Sequence, residues 1–571
     1  MENRAVAAMF NDIADMLEIK QDTPFRITAY RRAARALEGL TEDVAQVAAR
    51  GALTTLPGIG KGTAEKIQEF LATGTCAYYE ELKGSLPPGI TTLMSVPEVG
   101  PKTALMLHEK LGIATIEQLE QACRDGAVRK LPRMGEKTEA NILKGIALIR
   151  RTKERQPIGK VLPLAREIVE ALRALPEVAE LAVAGSLRRM RESIGDIDVL
   201  VTSSRPERVM ETFVALPRVR QVLAKGPKRS SVLLDSGIQA DVRVVEPASF
   251  GAAWQYFTGS KDHNVKLRER AVRAGLKINE YGVFRVADEA RLAGRTEEEV
   301  YQAVGLPWIP PEVRENQGEI ELAERGKLPP LVKLADIRGD LQMHTRWSDG
   351  SETVEAMARA AKELGYEYIA VTDHSQSLKF VGGVPVDELR ANAKTCKQAA
   401  DRVGIAVLVG TEVDIFPDGH LDYPDEVLAA LDVVVASVHS RFNMERDEMT
   451  ARIITAMESP HVDIIGHPTG RLLSSREAYE LDMERLVEAA KRTDTALEIN
   501  ASPERLDLSD AHARLARERG VMLVVSTDAH SRYELAHMGY GIAVARRAWA
   551  EARHILNTRP LGELRAWLAR G

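Results

Sequence analysis

The chain has 571 residues, 44% of them hydrophobic and 28% charged, which excludes a disordered polymer; at roughly 100–200 residues per domain it predicts three to five domains. No apolar run reaches the roughly 20 residues of a membrane-spanning helix, the opening helix has no signal-peptide core, and the cysteines (Cys76, Cys123, Cys396) are too scattered for a disulfide framework, so a cytoplasmic protein without membrane contact is expected. The net charge of −6 argues against a uniformly basic nucleic-acid binder, although 144–160 and 218–229 are basic stretches almost free of acids.

The first 150 residues show apolar spacing of three and four (Val6, Met9, Phe10, Ile13, Met16, Leu17) and an internal repeat. Its copies are Leu56-Pro57-Gly58-Ile59-Gly60, Val96-Pro97-Glu98-Val99-Gly100 and Leu131-Pro132-Arg133-Met134-Gly135, each followed three places later by a threonine (Thr63, Thr103, Thr138) and a helical stripe. A glycine turn that opens a helix presents backbone N–H groups beside a positive helix end, which suits a phosphate. One copy is no more than a helix cap, whereas the repetition points to the DNA backbone, with Gly58, Gly60, Gly100 and Gly135 as contact points. The glycine spacing fits neither a Walker loop nor a dinucleotide fingerprint.

From Val161 to Gly251 the pattern turns to short strands separated by helices, which predicts a mixed sheet. Gly195-Asp196-Ile197-Asp198 puts two carboxylates on one face of a strand, and Asp241 can join them from a neighbouring strand. Three converging carboxylates repel one another unless divalent ions lie between them, the arrangement that phosphoryl transfer uses. Leu306-Pro307-Trp308-Ile309-Pro310-Pro311 marks a boundary, and the charged segment after it reads as a linker.

From Asp336 onward strands alternate with helices, predicting a parallel α/β fold, plausibly a barrel. Of the 12 histidines only His108 and His263 precede this region. His344, Asp349, His374, Glu412, His439, His467, Asp528 and His530 fall mostly at strand ends, where barrel active sites collect, and imidazoles mixed with carboxylates suit zinc, manganese or iron.

These motifs together resemble the family X DNA polymerases. The segment 58–74 is similar to that family's lyase hairpin, whose lysine forms a Schiff base with a 5′-deoxyribose phosphate; Lys66 stands at the matching place, with Arg26 and Tyr30 lining the same phosphate pocket. Gly185-Ser186-Leu187-Arg188-Arg189 ahead of the paired aspartates resembles the nucleotidyltransferase signature, which implies that Gly185, Ser186 and Arg189 hold the triphosphate. By the same resemblance Tyr256 and Phe257 pack on the nucleotide sugar, Gly259 admits it, Asn264 belongs to the nucleotide pocket, and Asp196, Asp198 and Asp241 are the catalytic metal ligands. Gln239 departs from the arginine of beta-type members, and Lys261 replaces an acid.

The histidine-rich region resembles the polymerase and histidinol phosphatase (PHP) domain, a distorted barrel with a trinuclear site that follows the polymerase in many bacterial members. The family pattern implies one ion on the first His-x-His pair, Glu412 and Asp528, a second on Glu412, His439 and His467, and a third on Asp349, His374 and His530. Here the opening pair reads Gln342-Met343-His344, so one imidazole is replaced by an amide. His420, His461, His512, His537 and His554 match no ligand place and are expected at the surface.

The resemblance implies a multidomain chain: an all-α helix-hairpin-helix region (a lyase-like domain at 1–85 and a fingers-like one at 86–150), an α+β nucleotidyltransferase palm (151–260) and thumb (261–318), a linker (319–335) and an α/β distorted (β/α)7-like PHP barrel (336–571). It further implies a monomeric gap-filling DNA polymerase acting on gapped or primer-template DNA with a 5′-phosphate in the gap and on deoxynucleoside triphosphates. Mg2+ or Mn2+ would serve the polymerase site and Mn2+ or Zn2+ the PHP site, which would trim 3′ ends as an exonuclease, with 3′-phosphatase or abasic-site endonuclease activity as further expectations. Two competing readings stand beside it: a PHP half made weak or purely structural by Gln342, and a non-catalytic DNA-end scaffold built on the hairpins.

Overall fold

The computed structural model describes residues 2–20, 22–38, 44–56, 58–87, 89–94, 96, 99–132 and 134–569. Pro57, Pro97, Glu98 and Arg133 of the repeat lie outside them, as do the side chains of 148–154 in the first basic stretch.

The N-terminal region is helical and has two separate cores. In the first, Val6, Phe10, Ile13 and Leu17 of helix Glu2–Ile19 meet Tyr30, Ala33 and Leu37 of helix Pro24–Glu38; the second gathers Ile90, Leu107, Leu119 and Ile142. The repeat gives the same local structure three times. The amides of Ile59, Val99 and Met134 donate to the carbonyls of Leu56, Val96 and Leu131 at 3.1, 3.0 and 3.1 Å, and helices Lys61–Thr73, Pro101–Leu111 and Glu136–Glu154 start directly after the last glycine. Gly60 and Gly100 are extended N-caps with no side-chain cap, so the first amides of those helices face outward for an external acceptor. Gly58 needs its identity: its φ is +84°, and a Cβ there would stand 3.2 Å from the Arg32 carbonyl oxygen.

The next unit is a five-stranded mixed sheet of β1 (Val178–Val183), β2 (Asp196–Ser203), β3 (Val219–Lys225), β4 (Arg229–Leu234) and β5 (Gln239–Val244), in the order β1-β2-β5-β4-β3, with only β2 and β5 parallel. Strand alternation sorts β2: Ile197, Val199 and Val201 join the core with helices Ile158–Arg173 and Pro206–Val214, while Leu200 packs with Phe250 and Ala253 on the other face, the face that carries Asp196 and Asp198. The thumb follows, with antiparallel β6 (Leu276–Asn279), β7 (Gly282–Arg285) and β8 (Arg291–Ala293) around Leu267, Ile278, Val300 and Tyr301.

The segment 319–335, expected as a linker, is instead packed. Helix Glu319–Glu324 buries Glu319, Ile320 and Ala323, the last two in the thumb core, because His263 Nδ1 meets Glu319 Oε1 at 2.7 Å and the backbone amides of Asn316 and Gln317 satisfy the same carboxylate. Of the charges in this segment Glu319 is buried and paired, while Glu324, Arg325, Lys327 and Lys333 stay exposed.

The C-terminal barrel has seven parallel strands in chain order: β9 (Gly339–Asp340), β10 (Tyr368–Val371), β11 (Ala406–Asp414), β12 (Val433–Ser437), β13 (Ile464–Ile465), β14 (Ala496–Asn500) and β15 (Leu523–Ser526). Beyond the last strand it closes on the first through Asp528 N to Gln342 O (3.1 Å) and His344 N to Ala529 O (2.8 Å). Its inner stripe, including Tyr368, Ala370, Leu408, Val433, Val435 and Val524, is plugged at the N-terminal end by Leu564 and Trp567. Because side chains alternate with period two, the same stripe continued upward presents His374, Glu412, His439 and Asp528 at the C-terminal mouth.

Candidate active sites

At the palm edge, Asp198 on β2 stands directly beside Asp241 on β5 in parallel register, with Asp196 one pleat nearer the open end. Asp241 is buried and braced: Gln239 Nε2 donates to its Oδ2 (2.7 Å), the Ser231 hydroxyl to its Oδ1, and Arg229 Nη2 lies 3.4 Å from Oδ1. Gln239 therefore replaces an arginine with an amide that still orients the third carboxylate. The Asp198 carboxyl is pushed up to about 7, first by burial and then by the charges of Asp196 and Asp241. Arg243 and Arg229 offset this repulsion only in part, so the site fits divalent cations. Gly185 (φ +66°) is required here because a Cβ would approach Asp198 Oδ2 to 2.8 Å.

Around it, Ser186 is half-buried on the turn Gly185–Arg188. Arg189 donates through Nη1 to the Thr258 carbonyl and through Nε to Glu315 Oε1 (3.1 Å). Its neighbour Arg188 makes a forked pair with Glu297 (2.7 Å to each oxygen) and lies 3.5 Å from the Trp254 ring centre. Despite burial, Arg314 and Arg188 hold the Glu297 carboxyl down at about 2. Tyr256 and Phe257 meet edge to face at 5.2 Å, and Arg243 caps Phe257 at 4.5 Å. Gly259 (φ +72°) leaves room for Arg189, whose Nη1 would be 3.1 Å from a Cβ. Asn264 is engaged within the protein: its amide donates to the Tyr256 carbonyl (2.7 Å) and accepts from Gln255 (2.8 Å), so it braces the aromatic pair.

At the first hairpin, Lys66 Nζ sits 4.8 Å from the ring centre of Tyr78, Arg26 Nη2 donates to the Tyr78 hydroxyl (2.6 Å), and Tyr30 stacks on the same ring at 6.2 Å. Tyr78, which carries no motif of its own, thus joins the three residues picked from the sequence. A groove lined by Phe25, Arg32, Gly58 and Gly60 opens beside them.

At the barrel mouth, Glu412 is the hub. Its carboxylate oxygens lie 3.3 Å from His344 Nε2, 3.2 Å from His374 Nδ1, 3.2 Å from His439 Nε2 and 2.9 Å from His467 Nε2. His344 stacks between His374 (4.4 Å) and His530 (4.3 Å) and reaches Asp528 Oδ1 at 3.0 Å; Asp349 lies 3.6 Å from His374 and 3.4 Å from His530. The donor atoms fall into three overlapping groups: His344, Asp349, His374 and His530; His374, Glu412 and His439; and His344, Glu412 and Asp528. His344 and His374 are therefore shared more widely than the family pattern implies. His467 and Asp528 adopt positive φ (26° and 54°), the kind of strain that persists where surrounding structure fixes a functional side chain.

The cluster is electrostatically self-consistent. Burial opposes charge throughout, yet Glu412 and Asp414 raise the His439 imidazole to about 9, and His439 and His374 hold Glu412 well below the carboxylate range. Protons here occupy positions that cations can take. His344 Nδ1, His439 Nδ1, His467 Nδ1 and both amide atoms of Gln342 are buried without hydrogen-bond partners, a donor set that fits divalent metal ions. Supporting residues surround the cluster; Asp373, beside His374 at its strand end, is legible in the sequence, whereas Glu498 and Asn500 were missed. Asp373 fixes the 345–348 loop through Thr345 and Ser348, Asn500 holds Asp528 Oδ2 (3.0 Å), and Glu498 accepts the His467 amide (2.5 Å). Only the inward parity of Glu498 and Asn500 signals them. His420 is exposed as expected, but His461, His512, His537 and His554 are half-buried; His554 Nδ1 accepts the Glu551 amide and caps a turn.

Among the described residues no helix is long and apolar enough to cross a membrane. Family models match in chain order: a helix-hairpin-helix domain (residues 1–76), a SAM-like helix-hairpin-helix tandem (90–147), the DNA polymerase beta thumb (253–315) and the PHP domain (340–502). The chain is 40% identical over 573 residues, 100% of both chains, to the DNA polymerase/3′-5′ exonuclease PolX of Bacillus subtilis (strain 168). The barrel portion alone is similar to probable phosphatases, at 30% identity over 240 residues in Thermoanaerobacter sp. (strain X514) and 31% over 242 in Shewanella amazonensis, covering 40% and 41% of this chain and 93% and 92% of those proteins. With hairpins, palm edge, thumb and barrel mouth in this order along one chain, and a relative matched from end to end, the chain belongs to the bacterial family X DNA polymerases that carry a C-terminal PHP domain.

Proposed function

We propose that this chain is a DNA-directed DNA polymerase that fills short gaps in DNA repair and shortens 3′ ends with its barrel domain, working as a monomer in the cytoplasm. The observation that carries the reading is the presence, on one chain, of two chemically different clusters, one purely carboxylate and one of imidazole and carboxylate. Asp196, Asp198 and Asp241 would hold Mg2+ or Mn2+, which supply charge neutralisation for in-line transfer. In that transfer the primer 3′-oxygen bonds to the α-phosphorus of the nucleotide and the bond to pyrophosphate breaks, with Gly185, Ser186 and Arg189 holding the triphosphate and Tyr256 and Phe257 shaping the sugar side. The hairpin glycines Gly58, Gly60, Gly100 and Gly135 clamp DNA phosphates, and Arg26, Tyr30 and Tyr78 line a pocket for the 5′-phosphate in the gap. Lys66 beside them is placed for Schiff-base chemistry with a 5′-deoxyribose phosphate.

In the barrel, His344, Asp349, His374, Glu412, His439, His467, Asp528 and His530 would hold Mn2+ or Zn2+, which supply the Lewis acidity for phosphodiester hydrolysis. Gln342 leaves this centre one imidazole short, yet seven of the eight residues fall into groups that could hold a metal ion and His467 lies 2.9 Å from Glu412, which favours an active nuclease over a structural barrel. Release of a 3′-phosphate or cleavage at an abasic site would use the same centre.

The test is a labelled recessed primer on template with Mn2+, with and without deoxynucleoside triphosphates, using wild type, Asp196→Ala and His374→Ala. Extension lost only in Asp196→Ala, by about 10³-fold or more, and shortening lost only in His374→Ala are the expected results. Absence of shortening in wild type would refute the nuclease, and absence of extension the polymerase.

A further inference from the structure

The barrel domain reaches into the polymerase half through Trp549 and three arginines, of which Arg547 is buried and Arg471 and Arg546 half-buried. Trp549 lies in the thumb core, Arg471 Nη2 bonds Glu192 (2.8 Å), and Arg546 Nε bonds Glu312 (2.7 Å). One of these contacts touches the residue assigned to the triphosphate. Arg547, the last residue of helix Met538–Arg547, is 7% exposed. Its Nη1 donates to the backbone carbonyls of Arg189 (3.0 Å) and Glu312 (3.2 Å) and to Glu315 Oε1 (3.1 Å), while its Nε and Nη2 hold Asp510 Oδ2 (2.9 and 2.7 Å).

The Glu315 oxygen that Arg547 holds is the one that accepts from Arg189 Nε at 3.1 Å, and Arg191 Nη1 lies 3.8 Å from it. A single carboxylate oxygen is therefore shared between an arginine of the palm and an arginine of the barrel domain. A triphosphate competes for Arg189 with Glu315, whose side chain is only 15% exposed. A mostly buried carboxylate deprived of its partner and left near a polyanion is costly unless another cation keeps it. Arg547 is that cation, and its own orientation is fixed by Asp510.

We propose that Glu315 and Arg547 form a latch on Arg189. Without nucleotide, Glu315 holds Arg189; an arriving triphosphate takes Arg189 over, and Arg547 retains the released carboxylate and keeps its charge from the phosphates. Arg547 is a positioning residue for polymerisation that the hydrolytic domain supplies, which couples nucleotide affinity to the barrel. The inference rests on the triphosphate role of Arg189 given above.

The experiment measures single-nucleotide extension by the full chain against nucleotide concentration for wild type, Arg547→Gln, Glu315→Gln, the double variant and Arg189→Gln, with 3′ shortening by the same preparations as the control for folding. Arg547→Gln should raise KM for the nucleotide about tenfold while kcat and shortening stay within about twofold; adding Glu315→Gln should bring KM back to within about threefold of wild type, because the stranded charge is gone. An unchanged KM in Arg547→Gln beside a raised KM in Arg189→Gln overturns the latch alone. So does a KM defect in Arg547→Gln that Glu315→Gln does not relieve, since a merely structural contact would behave in that way. An unchanged KM in Arg189→Gln overturns the role of Arg189 and the latch with it. Should Arg547→Gln lose shortening as well as extension, the double variant against Glu315→Gln alone decides: KM alike in the two supports the latch, and a higher KM in the double variant refutes it.

Discussion

At the palm edge three carboxylates face one another with no imidazole among them, and the middle one, Asp198, is pushed up to about 7; at the barrel mouth a single carboxylate, Glu412, is flanked by four imidazoles and held far below its ordinary range. The palm centre is a cluster of like charges at the edge of a sheet, offset only in part by Arg229 and Arg243. The barrel centre is a network in which carboxylates and imidazoles offset one another, inside a cylinder of seven parallel strands.

The strongest attack on this contrast is Glu412→Gln. Removing the hub charge strands four imidazoles, so bound metal measured by elemental analysis should fall by most of its stoichiometry and shortening by about 10³-fold, with extension unaffected. Retention of full metal would show that Glu412 is not the organising ligand.

The pH dependence should separate the two centres next. A cation at the palm must displace the proton that Asp198 keeps below about pH 7, so the Mg2+ requirement for extension should rise about tenfold for each pH unit below 7 and flatten above it. In the barrel the competing proton on His439 persists to about 9, so metal affinity there should keep climbing with pH well past neutrality. The folded Asp198 value lies above the unfolded carboxylate value of about 3.9, so its contribution to the metal-free protein is complete at low pH and lost as pH rises through about 7. Melting of the metal-free protein should fall between about pH 4 and 7 and level off above that, and Asp198→Asn should remove that slope.

Gln342→His sharpens the comparison on the barrel side. Both amide atoms of Gln342 are buried and unpartnered, and an imidazole there should tighten metal binding about tenfold as read by titration calorimetry. No gain would mean that the amide oxygen already serves. The smallest effect belongs to a region outside both centres: Gly58→Ala, which meets a positive φ and the Arg32 carbonyl, should cost about 1–2 kcal/mol in the N-terminal unit and weaken binding to gapped DNA while leaving metal content unchanged.

Spacing and alternation made much of this readable. The glycine repeat determined three turn-to-helix starts because a tight turn followed by a helix needs those residues locally, and Gly-Asp-Ile-Asp determined a two-carboxylate face because strand side chains alternate. Histidines at strand ends marked the barrel mouth for the same reason, since period-two parity carries Val433 and Val435 inward to His439. What the sequence could not hold are facts of distance between remote segments. Tyr78 joins Lys66 only through packing of separate helices, and Asn264 turns inward to Tyr256. Glu319, read as part of a solvated linker, is buried on His263, and Arg547 meets Arg189 across the whole length of the palm, thumb and barrel. Local chemistry obeys the periodicity of the backbone and can be read along the chain; the partner of a buried charge is chosen by tertiary packing, because desolvation forces it to pair with whatever opposite charge the fold brings within reach.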